Sequence, residues 1–106
     1  MSSSIVSHAG EFIPLAEAEA MTARYRESAG ADAVKALLFN KELIIEMLSM
    51  DDCAGMRVYF ARGENMALNV VLVGTNAVGD DLIDNPMVNR GLFCPPTCPD
   101  NSPLNS

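Results

Sequence analysis

The cysteines hold most of the chemistry open to this chain, and two of its three stand within Cys94-Pro95-Pro96-Thr97-Cys98-Pro99. Thiolates attack disulfides and bind soft metals, so the separation of these two sulfurs decides what they do. Proline fixes φ and donates no backbone hydrogen bond, which excludes helix and interior strand across this run. Cys94, Pro95 and Cys98 each precede a proline and are biased towards extended backbone. Four polyproline-like steps of ~3.1 Å place the two Cα atoms roughly 12 Å apart, beyond the ~4.4–6.8 Å of a disulfide. A type I turn with Pro96 at its second position brings the sulfurs together instead. The local sequence permits both states, extended and hooked.

In the hooked state the pair forms a disulfide or contributes to a zinc site, since Cys-x₂₋₄-Cys is the usual ligand spacing. The remaining zinc ligands would come from Cys53, the lone His8, a carboxylate or a second chain. No second such pair exists, so the set is incomplete, and an iron–sulfur cluster wants four thiolates where three are present. No basic residue adjoins the pair to lower a thiol pKa. The simplest reading is a structural one, with the segment anchoring the tail and no cofactor bound. Zinc at Cys94, Cys98 and Cys53 is the alternative.

Cys53 alone reads as a small buried hydrophobe. A Cys–His nucleophile would need it paired with His8, in an arm expected to be loose. Asp80, Asp81 and Asp84 lack the calcium-loop spacing and read as a solvated turn, and Gly74, Gly79 and Gly91 match no phosphate-binding pattern. Arg57 and Tyr59 share a strand face and suit an anion, or more simply a neighbouring subunit. No acid, base and nucleophile set emerges, so enzymatic activity is not expected.

Composition narrows the rest. The 106 residues suffice for one small domain, and a hydrophobic fraction of 49% supplies a core without disulfide staples. Seven methionines and few aromatics leave aliphatic side chains to fill it. The net charge of −7 and scattered basic residues argue against nucleic acid and against an anionic membrane surface. Met1-Ser2-Ser3-Ser4 is a polar start, no stretch is apolar enough to span a bilayer, and the odd cysteine count suits no disulfide framework. The expectation is a cytoplasmic protein with reduced thiols.

The elements that position these residues follow from periodicity. Residues 1–12 read as a flexible arm. A helix is predicted from Pro14 and Leu15 to Ser28, with Leu15, Ala18, Met21 and Tyr25 on one face and Gly30 as its stop. Val34–Phe39 is a strand or the first half of a longer helix; the strand is preferred because Asn40 then caps a helix from Lys41 to Ser49. Met56–Ala61 and Ala67–Val73 alternate as strands about a hairpin loop at Arg62–Asn65. The sum is an α+β fold in which one domain, 13–84, has a small three-stranded, mainly antiparallel sheet with two helices on one face. An irregular, proline-rich tail, 85–106, follows. Met56, Val58 and Phe60 then face the helices. The opposite face, with Lys35, Arg57, Tyr59, Asn69, Val71 and Val73, has nothing but the tail or another subunit to cover it.

From Ala33 onward the chain resembles a group of small uncharacterised bacterial proteins. The likeness rests on the apolar segment and helix Val34–Met50, on Cys53-Ala54-Gly55-Met56-Arg57-Val58-Tyr59 leading into Leu72-Val73-Gly74, and on the terminal Cys-Pro-Pro-x-Cys at Cys94–Cys98. The resemblance implies no activity. The half-apolar sheet face implies association, most simply a homodimer through Arg57, Tyr59, Asn69, Val71 and Val73. A metal-binding or thiol-redox-responsive module using Cys94 and Cys98 is the competing expectation.

Overall fold

The computed structural model describes residues 4–105. The fold is α+β, with two helices and four antiparallel strands in two two-stranded sheets. In chain order the elements are a 3-10 turn Val6–His8, α1 Leu15–Ala29, β1 Ala36–Leu38, α2 Lys41–Leu48, β2 Gly55–Arg62, β3 Leu68–Thr75, β4 Leu92–Cys94 and a 3-10 turn Pro103–Asn105. They form two compact units, both discontinuous in sequence. The first contains the residues up to Gly10 with Phe39–Gly91; the second contains Glu11–Leu38 with the residues from Leu92 onward.

The first unit is organised by the hairpin. β2 and β3 pair without interruption from Gly55 opposite Thr75 to Arg62 opposite Leu68, and Gly63 N–H donates to Ala67 C=O (3.0 Å) to close the turn. The other edge of β3 is also engaged: Leu72 exchanges two 2.9 Å backbone bonds with Val88, and Leu82 N–H donates to Gly74 C=O (2.9 Å). Helix α2 begins where Asn40 Oδ1 accepts from the N–H groups of Glu42 (2.7 Å) and Leu43 (3.4 Å), satisfying two donors that a helix start leaves free. It packs against β3, and Met47, Val70, Leu72, Val73 and Val88 are the buried apolar residues of this unit. Of the segment expected to be a flexible arm, residues 1–3 lie outside the described residues, while Ser4 and Val6 are tied into this unit. Ser4 Oγ and Val6 N–H both donate to Ala77 C=O. A Cβ on Gly55 would lie 2.7 Å from the Val6 side chain, so the close approach depends on glycine there.

The second unit is built from segments distant in sequence. Helix α1 starts after extended Pro14 and stops at Gly30 (φ 89°). The Lys35 ammonium donates to the carbonyls of Gly30 (2.7 Å), Ala31 (3.4 Å) and Ala33 (3.0 Å), so it caps the helix exit where carbonyls lack partners. Tyr25 Oη donates to Val34 C=O (2.7 Å). The strand β1 pairs with β4, Ala36 opposite Cys94. The second 3-10 turn rests on α1, with Arg26 Nη1 donating to Leu104 C=O.

Three expectations are corrected. The sheet is not three-stranded: β1 pairs with β4 and leaves β2–β3 as a separate ladder. The tail is not wholly irregular, since it supplies β4 and its following hook. Two helices on one sheet are not found within either unit: α2 lies on β3, while α1 belongs to the other unit and has no buried residue. Deleting the Asn40 cap by Asn40→Ala should cost about 1 kcal/mol. Met47→Ala, which empties a site only 2% exposed, should cost about 2–5 kcal/mol. Urea unfolding checks both, and equal costs would contradict the central placing of Met47.

Candidate functional site

Of the extended and hooked states that the sequence permits, the end of β4 adopts the hooked one. Cys94 and Cys98 form a disulfide with their Cα atoms 4.7 Å apart. The Cys94–Pro95 and Pro95–Pro96 peptide bonds are cis, and Thr97 N–H donates to Phe93 C=O (2.7 Å). On the other side of the strand Lys35 N–H donates to Cys94 C=O (2.7 Å). Cys94 is 2% exposed, whereas Cys98 is exposed. Asn105 Nδ2 reaches Cys94 Sγ at 3.5 Å. The expectation of three reduced thiols is thereby corrected, since among the described residues only Cys53 is free. In this oxidised form neither Cys94 nor Cys98 is a thiolate ligand. Among the described residues no group of three or more Cys, His, Asp or Glu is arranged to hold a metal ion.

Cys53 is half-buried and its thiol lies 3.4 Å from Gly55 C=O. A Cβ on Gly74 would stand 2.9 Å from its sulfur, so β3 passes as close to the thiol as a bare backbone allows. Cys53 also lines an open hollow with Asp52, Asn76 and Leu82.

The hairpin side expected to be bare is partly occupied. Arg57 Nη1 donates to Asp81 Oδ1 (2.5 Å) and to Gly79 C=O (3.0 Å), and Tyr59 Oη donates to Asp81 Oδ2. One carboxylate thus clamps the 76–82 loop across both side chains. The Tyr59 hydroxyl, then the Arg57 guanidinium, hold the Asp81 carboxyl below the usual carboxylate range. The same bond to Asp81 raises the Tyr59 hydroxyl and the Arg57 guanidinium above their ordinary values. Because all three groups reach solvent, the clamp positions the loop more than it stabilises the fold. Asn69 and Val71 are half-buried; Asn69 Oδ1 accepts from Asn89 Nδ2 (3.2 Å), and Val73 is 2% exposed. Of the five proposed interface residues, Val73 is therefore sealed within the chain, and Arg57 and Tyr59 are tied to it. Sequence reasoning missed Asp81, whose only local signal was an acidic turn.

The open surface lies on the other side and along the edge. Met56, Val58 and Phe60, expected beneath the helices, are 43%, 44% and 81% exposed. In an antiparallel ladder, alternate residues direct their N–H and C=O groups to opposite edges. Leu72, opposite Val58, spends its backbone groups on Val88, so Val58, and with it Met56 and Phe60, directs its own away from β3. Among the described residues the hairpin thus presents a free hydrogen-bonding edge, and an apolar stripe borders it. Among the described residues no helix is long and apolar enough to cross a membrane. No protein-family model, curated protein or solved structure matches the chain.

The Asp81 clamp has a definite pH window. Its folded pKa is depressed, so its contribution is present above the unfolded carboxylate value and fades as pH falls through the folded one. Tyr59 is raised, so its hydroxyl bond is intact below the ordinary phenol value and is lost as pH rises through the folded one. In an NMR titration Tyr59→Phe should move the Asp81 midpoint upwards; an unmoved midpoint would remove the hydroxyl from the clamp.

Proposed function

We propose that the protein works by associating with a second copy of itself along β2. The single observation that carries this reading is the unprotected edge of that strand. Edge strands are commonly shielded by proline, lysine, bulges or brevity. This one is eight residues long, contains no proline or lysine, and runs in continuous register with β3. Its outward-directed positions include Met56, Val58 and Phe60.

An antiparallel pairing about a two-fold axis is self-complementary here. With Val58 on the axis, Met56 of one copy lies opposite Phe60 of the other, and the two apolar stripes join on one side of a four-stranded sheet. On the other side Arg57 lies opposite Tyr59 of the second copy, placing a guanidinium beside an aromatic face. Burying Val58 and Phe60 fully would contribute about 1.5–3 kcal/mol each. The Asp81 clamp, which keeps Arg57 and Tyr59 in place, supports the same register. The dimer expected from sequence is retained in this reading, with its contact moved from Asn69, Val71 and Val73 to the β2 edge.

Light scattering should give twice the 11.4 kDa chain mass. Val58→Pro removes an N–H that the hairpin does not use and should give a monomer with an unchanged circular dichroism spectrum. A wild-type monomer at every concentration, or a Val58→Pro dimer, would overturn the edge-pairing reading.

A further inference from the structure

We propose that the Cys94–Cys98 disulfide is exchange-active, with Cys98 Sγ as the sulfur attacked by an external thiol and Cys94 Sγ as the sulfur that leaves. The assignment follows from the asymmetry of the pair. A thiolate approaches a disulfide along the S–S axis, so an accessible sulfur is attacked and its partner departs. Cys98 is exposed in the turn after β4, while Cys94 is 2% exposed at the end of that strand. Cys94 is also held from three directions: by its pairing with Ala36, by the Lys35 N–H on its carbonyl, and by the Asn105 side-chain amide on its sulfur.

The Asn105 contact matters most. Exchange is faster when the departing sulfur is better stabilised as a thiolate, and a hydrogen bond donated to the charged form stabilises it. Asn105 Nδ2 stands 3.5 Å from Cys94 Sγ in the oxidised protein, so the donor is in place before the bond breaks. Asn105 is a positioning residue in this scheme. The loop between the sulfurs is Pro95-Pro96-Thr97, whose two fixed φ angles keep Cys94 close to Cys98 after opening.

The chemistry balances with a monothiol of the glutathione class. Its thiolate bonds to Cys98 Sγ, the Cys94–Cys98 bond breaks, and the electron pair leaves on Cys94 Sγ. The Cys94 thiolate either attacks Cys98 Sγ and expels the monothiol, restoring the disulfide, or takes a proton from water. In the second case another monothiolate attacks the small-molecule sulfur of the mixed disulfide and expels Cys98 as a thiolate, which is protonated in turn. The net result oxidises two monothiols to their disulfide and reduces the protein pair to a dithiol.

The test is to treat the oxidised, folded chain with glutathione, quench in acid, alkylate and map the peptides by mass spectrometry without reductant. The expected adduct is on Cys98, with Cys94 recovered as a free thiol. An adduct on Cys94, or no adduct until denaturant is added, would overturn the proposal. In a Cys98→Ala background, Asn105→Leu should shift the pH profile of Cys94 alkylation to higher pH, and in the wild-type background it should slow exchange roughly three- to ten-fold. Asn105→Gln should restore part of both effects. An unshifted Cys94 profile in Asn105→Leu would remove Asn105 from the mechanism.

Discussion

The uninterrupted pairing of β2 with β3 is the interaction on which the first unit depends, and its consequences differ for the two strands. β3 has partners on both edges and supplies three of the buried apolar residues, Val70, Leu72 and Val73. Among the described residues β2 has a partner on one edge only, and it keeps most of its side chains in water. Two strands of equal length in the same ladder therefore have opposite roles. One is the centre of a core; the other is a boundary at which main-chain groups and apolar side chains meet solvent together. Moving the register by one residue would exchange the faces and separate Arg57 and Tyr59 from Asp81.

Much of the first unit was legible in sequence because its signals are local. Asn40 before Lys41–Leu48 and the alternation on either side of Arg62–Asn65 each belong to one short window, and each element forms close to its expected bounds. The strand preferred for Val34–Phe39 is present as Ala36–Leu38. Its partner was not legible. Leu92–Cys94 is too short to carry a period, and its pairing with β1 is set by contacts across more than half the chain. The assignment of faces failed for a related reason. Alternation shows which side chains share a face, but only packing shows which face a helix covers, and here α2 packs against β3.

The candidate sites repeat that division. Sequence singled out Cys94 and Cys98 and allowed them two states, and the state observed is accompanied by bonds from Lys35 and Asn105, residues distant in sequence from one or both sulfurs. Sequence also placed Arg57 and Tyr59 side by side on one face. What occupies them is a carboxylate from a turn whose acidity read as solvation. In both places the residue types were visible and the neighbours that give them a role were not.

The interleaving of the two units bears on how the chain matures. Helix α1 and strand β1 are synthesised before Phe39–Gly91, yet their partners, β4 and the final 3-10 turn, come only after that insertion. At ordinary ribosomal rates the early half of the second unit waits for several seconds with β1 unpaired, while the hairpin, whose contacts are near neighbours in the chain, closes at once. A nascent chain of this design completes its middle before its ends.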